Sequence, residues 1–343
     1  MDFAPDETQE AVVRLAAEVL DGTGDDPPER MWKALAQAGL LALAVPPESG
    51  GAGLGVLETC LTLAEVGRRA VPVPALALAL GVLPAARATD ATQRAALLSG
   101  VAAGDALLTA ALREPGDPMP ANPRTVATPA VTGVKVGVPH AEQARRILVP
   151  VCTEGGTAVA IVDPTAPGVT LHRTPSSTGD PEYTVRLDGV AAEPLSGVTV
   201  AEVYRCALAV TCATGAGVLA GALARTSTYV GAREQFGKPL AAFQAVAQQV
   251  ADVYVAARTT HLAALAAAWR LATGRPADTD LSIAAYWLAS QGPPAMRTCH
   301  HLHGGVGLDV SYPLHRYSAL VTDLVRLIGG ARYRLGEVPC SST

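Results

Sequence analysis

The sequence predicts a mainly α-helical chain with a central β domain, ordered helices–strands–helices and ending in a four-helix bundle. Three observations predict it. The chain of 343 residues is 49% hydrophobic but only 17% charged, against roughly 25% charged in an average soluble protein. Alanine and leucine carry that apolar content, which favours helices over sheets. Apolar residues recur at helical spacing at both ends of the chain, whereas the middle breaks into short β-type runs separated by Pro, Gly and Asp clusters. The expected domains are 1–103 (helical), 104–199 (β) and 200–343 (helical bundle).

In the first domain Asp6 is a plausible N-cap for a helix in which Val12, Leu15, Ala16 and Val19 share a face up to Gly22. A second helix is expected over Pro28–Ala38, with Trp32, Leu35 and Ala36 on one side. The run Pro46-Pro47-Glu48-Ser49-Gly50-Gly51 ends that pattern. A third helix covers Val56–Ala70 and a fourth follows Asp90; the proline-spaced stretch Val71–Pro84 reads as either a buried connector or a short helix. The β domain contributes Arg146–Val151, Ala158–Val162 and Tyr183–Leu187 as strands, with Glu114–Pro123 extended. Long helical periods return in Glu202–Gly231, Phe243–Leu271 and Asp278–Ser290, with a shorter one after Pro313.

Composition removes several function classes. A net charge of -5 and 4% aromatic residues offer neither a basic surface nor stacking platforms for nucleic acid. The cysteines are scattered without a C-x-x-C pair, which argues against a disulfide framework or a zinc site. His300, His301, His303 and His315 lie at no recognised metal-ligand spacing and near no carboxylate cluster, so no metal is expected. The uncharged stretch Cys206–Ala224 approaches the length of a membrane span. Its threonines and glycines, and the amphipathic segments after it, fit a buried bundle helix better, so no membrane partner is expected. The acidic N-terminus is unlike a signal peptide, and the expected location is cytoplasmic.

Two short segments could carry chemistry. Arg233-Glu234-Gln235-Phe236-Gly237-Lys238-Pro239, followed by Phe243-Gln244, places a guanidinium, a tight turn and an amide between two long helices. Such a set can hold a phosphate; on spacing alone, a helical-hairpin turn with solvated charges is the simpler reading. His301-Leu302-His303-Gly304-Gly305-Val306-Gly307 offers a backbone that a ligand could approach closely. It equally describes a glycine-rich turn between helices, and no expected strand precedes it as a Rossmann fingerprint would require.

Taken together, R-x-x-F-G, F-Q and the paired glycines leading to Tyr312-Pro313 and Arg316 resemble the C-terminal half of the acyl-CoA dehydrogenase family. Leu41–Leu57, Glu65-Val66-Gly67-Arg68, and Arg113-Glu114-Pro115-Gly116 at the place of the family's T-E-P-G extend the resemblance over nearly the whole chain. It implies FAD, an acyl-CoA thioester substrate, an acceptor such as electron-transfer flavoprotein, and α,β-dehydrogenation with a carboxylate as base. By the family register the base falls on Ile328, and the alternative position used by some members falls on Ala207; neither side chain can accept a proton. Glu202 and Arg205, close in sequence to Ala207, are more than a turn away or on another face.

The flavin-ring side departs too. Asp117-Pro118-Met119-Pro120 replaces the family's small polar run, removing N–H donors, and no Trp-x-Ser/Thr element occurs near Val134–His140. The residues implied to reach a neighbouring subunit's FAD are retained: Arg233, Gln235, Phe236, Phe243, Gln244, His301, Gly304 and Gly305, with His301 replacing the usual Gln. This asymmetry resembles the base-less subunits of actinobacterial α2β2 acyl-CoA dehydrogenases that act on steroid side chains. The implied partner is a second acyl-CoA dehydrogenase subunit that shares the FAD. A self-sufficient acyl-CoA or acyl-carrier-protein dehydrogenase with a displaced base, and a flavin-free structural homologue, are the alternatives.

Overall fold

The computed structural model describes residues 5–24 and 26–338. Its element order is helices, a sheet, then helices. The first group comprises α1 (Glu7–Thr23), α2 (Pro28–Gln37), α3 (Val56–Arg69), α4 (Ala75–Ala85) and α5 (Ala91–Leu98). Asp6 caps α1 through a reciprocal pair in which its carboxylate accepts from Gln9 N at 2.8 Å and its own N–H donates to Gln9 Oε1 at 3.1 Å. The stretch left open between connector and helix is α4, almost wholly buried, with Pro84 near its end.

The strands are β1 (Leu107–Ala110), β2 (Val126–Ala127), β3 (Val131–Pro139), β4 (Ala144–Thr153), β5 (Gly156–Val162), β6 (Val169–Thr174), β7 (Glu182–Val190) and β8 (Glu193–Pro194). They pair in the order β6-β7-β3-β2-β4-β5-β8, with β1 alongside β4. The pairs β1–β4 and β2–β4 are parallel and the others antiparallel. Ile147, Val149 and Val151 alternate along β4 into a core shared with Val162 and with Val185 and Leu187 of β7.

The last group comprises α6 (Val200–Ala232), the two-residue strands β9 (Glu234–Gln235) and β10 (Lys238–Pro239), α7 (Gln244–Ala272), α8 (Asp278–His303), α9 (Leu314–Leu327) and α10 (Gly330–Glu337). Where sequence periodicity stops at Ser290, α8 runs on through Pro293 and Pro294 to His303. Each proline removes one N–H from the helical ladder. Gly292, Ala295, Met296, Cys299 and Leu302 are nevertheless buried on that segment, and packing of this apolar face outweighs the lost bonds. Among the described residues one helix, Val200–Ala232, is long and apolar enough to cross a bilayer, and most of it is buried within the protein.

The chain divides into two compact units. One holds residues 5–62 and 72–210; the other holds 63–71 and 211–338. In the second unit the C-terminal end of α3 lies against α6 at glycines. A Cβ on Gly217 would collide with the carbonyl oxygen of Ala64 and stand 2.7 Å and 2.9 Å from its carbonyl carbon and Cα. Gly221 meets Arg68 in the same way, and Tyr317 OH donates to the Arg68 carbonyl at 3.0 Å.

Candidate functional site

The first candidate segment begins where α6 stops. Arg233 N–H still donates to Tyr229 O at 2.8 Å, after which the chain folds into a two-residue hairpin, with Lys238 opposite Gln235 and Pro239 opposite Glu234. The turn residues Phe236 and Gly237 have φ of 55° and 77°, the signs a type I′ hairpin requires. Glycine adopts such values freely, but an aromatic residue there is a conformational outlier. Phe236 is also 92% exposed. Its ring meets Phe243 edge-on, with centroids 6.3 Å apart at 82°, and Lys238 Nζ sits 4.2 Å from the Phe243 centroid. Leu240 N–H donates to Arg233 O at 2.8 Å and closes the hairpin at its base.

Arg233, Gln235 and Gln244 are exposed, and Phe243 is half-buried. Gln235 Nε2 donates to the Glu234 carbonyl at 2.8 Å. Among the described residues the Arg233 guanidinium has no hydrogen-bond or ion-pair partner. Gln244 opens α7, whose N-cap, Phe243, supplies no side-chain acceptor, leaving first-turn N–H groups without helical partners. An unpaired guanidinium, free amide donors and two aromatic rings suit an anionic dinucleotide such as the pyrophosphate–adenosine portion of FAD.

The second segment ends α8. His301, Gly304 and Gly305 are exposed, and Gly304 turns the chain at φ 58°. The turn is braced from behind by buried His303. Because a carbonyl can only accept, His303 Nδ1 carries the proton and donates to Cys299 O at 2.7 Å. Its Nε2 then accepts from Tyr312 OH at 3.0 Å. Tyr229 stacks on the imidazole at 4.5 Å and 21°. Burial holds the His303 pKa down, and the neighbouring charges of His300 and Arg225 push the same way. His300 Nδ1 donates to Gly307 O at 2.9 Å and fixes the far side of the turn. The sequence signalled His303 only through its glycine neighbours; Tyr229, on another helix, carries no local signal.

The flavin-ring side of the family pattern lies in the other unit. Glu114 Oε1 accepts from Lys135 Nζ at 2.8 Å, Thr125 Oγ1 at 2.6 Å and Thr125 N at 2.9 Å, and Oε2 accepts from Arg124 N at 2.7 Å. Burial raises the carboxyl pKa, but these donors more than cancel it and leave it at about 2. The stretch expected as extended, Glu114–Pro123, is instead a turn closed by reciprocal backbone bonds between Glu114 and Asp117. Met119 and Pro120 are buried, and Pro120 O accepts from Tyr204 OH at 3.0 Å. At Gly137 the place of a Cβ is already bordered by Arg113, 2.5 Å away, and Glu182, 3.1 Å away. A flavin ring needs N–H and hydroxyl donors facing it; in this turn Pro115, Pro118 and Pro120 have no N–H, those of Glu114 and Asp117 are spent on each other's carbonyls, and Asp117 Oδ1 is a buried acceptor, so the turn does not fit that need.

Ile328 is fully buried at the end of α9, and its carbonyl accepts from Arg334 Nε. Ala207 is buried on α6 in the other unit. Glu202 is engaged as a cap, accepting from Thr199 N at 2.9 Å and Thr199 Oγ1 at 2.8 Å, with Arg87 3.5 Å away. Burial raises its pKa, and the Thr199 bonds bring it below the ordinary value, the opposite of what a general base needs. Among the described residues no group of His, Cys, Asp and Glu could hold a metal.

Comparison with known proteins matches both ends of the chain to one family. A family profile described as acyl-CoA dehydrogenase, N-terminal domain, matches residues 4–105, and one described as acyl-CoA dehydrogenase, C-terminal domain, matches residues 205–331. The chain is 46% identical over 340 residues to acyl-CoA dehydrogenase FadE28 of Mycobacterium tuberculosis, covering 98% of this chain and 97% of that protein. A solved variant of the Tcur3481–Tcur3483 steroid ACAD superposes with a TM-score of 0.90 at 32% identity, covering 97% of this chain and 96% of the other. The ChsE4–ChsE5 complex from M. tuberculosis gives 0.88 at 29% identity, with 98% of each chain covered.

Proposed function

Because the chain belongs to the acyl-CoA dehydrogenase family, we propose that it is the non-catalytic subunit of a heteromeric, FAD-dependent acyl-CoA dehydrogenase. In this reading it completes the FAD site of a second acyl-CoA dehydrogenase subunit in an α2β2 assembly and holds no catalytic base of its own. The observation that carries the reading is the contrast between two halves. The Arg233 hairpin and the His301–Gly305 turn present unpaired or exposed donors outward, whereas the Glu114–Pro120 turn spends its Glu114 and Asp117 N–H groups on its own carbonyls and carries prolines at 115, 118 and 120.

Bound FAD would supply the hydride acceptor for α,β-dehydrogenation. The work of this chain would be binding: the planar Arg233 fork would meet the pyrophosphate, and Gln244 with the first turn of α7 would add N–H donors. The exposed ring of Phe236, resting on Phe243, would meet the adenosine portion. His301 and the amides of Gly304 and Gly305, braced by His303, would supply further donors. The likeness to a steroid ACAD and to the ChsE4–ChsE5 complex supports a heteromer acting on a steroid side-chain acyl-CoA thioester. In this reading the heteromer works in the cytoplasm and passes electrons to an electron-transfer flavoprotein or similar acceptor.

The test is expression of the full chain alone and together with an acyl-CoA dehydrogenase encoded beside it. Alone, the chain should be colourless and inactive; the co-purified complex should be yellow, with FAD below one per chain, and should oxidise acyl-CoA. A chain that alone retains stoichiometric FAD and turns over acyl-CoA refutes the proposal.

A further inference from the structure

We infer that Lys238 is a positioning residue that fixes the Arg233 hairpin against the start of α7 by gripping the ring of Phe243. The inference rests on the FAD reading only for its consequence; the clamp itself is visible in the chain. Lys238 Nζ lies 4.2 Å from the Phe243 centroid, well inside the range of a cation–π contact. Among the described residues Lys238 has no carboxylate partner, so the ring is its counter-group. Phe236 closes on the same ring edge-on, and Phe243 is thereby held from two sides by residues of one hairpin.

The position of Phe243 gives the clamp its effect. It is the N-cap residue of α7 and the immediate neighbour of Gln244. Arg233 stands at the other end of the hairpin, whose backbone is tied by Leu240 N to Arg233 O. Restraining the Phe243 ring therefore restrains the backbone from which Arg233 projects relative to that of Gln244. The tip needs such a restraint, because Phe236 holds a left-handed conformation while almost fully exposed. A bulky residue keeps that conformation only where its surroundings impose it. Lys238 thus acts on a ligand through Phe243, without touching it.

Hydrogen–deuterium exchange of the full chain tests this without any cofactor. Lys238→Met keeps the alkyl stem and removes the charge; amides of residues 234–247 should exchange about two- to fivefold faster. Lys238→Arg keeps a cation over the ring and should exchange like the parent. Flavin content of the co-expressed complex is the second readout and should fall in Lys238→Met and recover in Lys238→Arg. Unchanged exchange with lower flavin content would make Lys238 a direct ligand contact and overturn the positioning role, as would unchanged exchange with unchanged flavin. Faster exchange with unchanged flavin would uphold the clamp and count against the FAD reading instead.

Discussion

Replacing Gly217 by alanine should destabilise the unit formed by residues 63–71 and 211–338, although alanine is the better helix former. The added Cβ would overlap the Ala64 carbonyl oxygen and stand 2.7 Å from its carbonyl carbon, roughly 1 Å short of ordinary carbon–carbon contact. The obstacle is backbone on both helices, so no side chain can rotate away. Overpacking of this kind costs about 1–3 kcal/mol, and the backbone obstacle puts Gly217 at the upper end. The helix-propensity gain of alanine returns about 1 kcal/mol, leaving a net loss of about 2 kcal/mol. Gly231, in the same helix, has no atom within 4 Å of a built Cβ and serves as the control. Gly231→Ala should raise the thermal midpoint by a degree or two, whereas Gly217→Ala should lower it by roughly 4 °C, both followed by circular dichroism of the full chain. If Gly217→Ala is stabilising like its control, the close approach of α3 and α6 is not what the glycine serves.

Arg233→Ala should leave the circular dichroism of the chain unchanged and cut flavin retention by the co-expressed complex about tenfold or more, with Arg233→Lys restoring only part because it lacks the bidentate fork. Lys135→Met should cost about 3–5 kcal/mol in a denaturant titration, because it strands the buried Glu114 carboxylate; adding Glu114→Gln should recover part of the loss. His303 and Glu114 are among the groups whose pKa values lie below their unfolded ones. The His303 contribution is therefore complete above the ordinary histidine pKa of 6.5 and lost as pH falls below it; that of Glu114 is complete above 4.5 and lost towards about 2. The thermal midpoint should accordingly drop in two stages on acidification, and His303→Phe should shrink the upper stage, to which His261, its pKa likewise lowered by burial, also contributes. Ile328→Glu should yield no acyl-CoA oxidation by the chain alone with an artificial electron acceptor, since a buried carboxylate does not rebuild a ring site; robust turnover would refute the half-site reading.

The order of elements was legible because it is written in local composition and pattern. The continuous apolar run of β4, the uncharged, small-residue stretch of α6 and the helical spacing of apolar residues in α7 are each read from neighbours within a few positions. Glycine and proline punctuation located most ends, and failed at Pro293-Pro294, where tertiary burial of Met296 and Cys299 overrides the missing N–H groups. The outward-facing residues, Arg233 and Gln244 among them, were legible as motif letters. What holds them was not. The Lys238–Phe243 contact, the Tyr229–His303 stack and the Glu114–Lys135 pair join residues whose sequence separation follows no period. Nor does periodicity distinguish Gly217, pressed against Ala64, from Gly231, which faces open space.

The four donors on Glu114 bear on which part of the subunit a ligand can steady. All four hydrogen bonds accepted by Glu114 come from the chain itself, from Lys135, Thr125 and Arg124, and tie residue 114 to the segment at 124–125 and to β3. In the proposed heteromer a flavin bound at the Arg233 hairpin would stabilise the unit that carries it, because a ligand stabilises only the state that binds it, while the turn at Glu114 keeps the stability that its own hydrogen bonds give it.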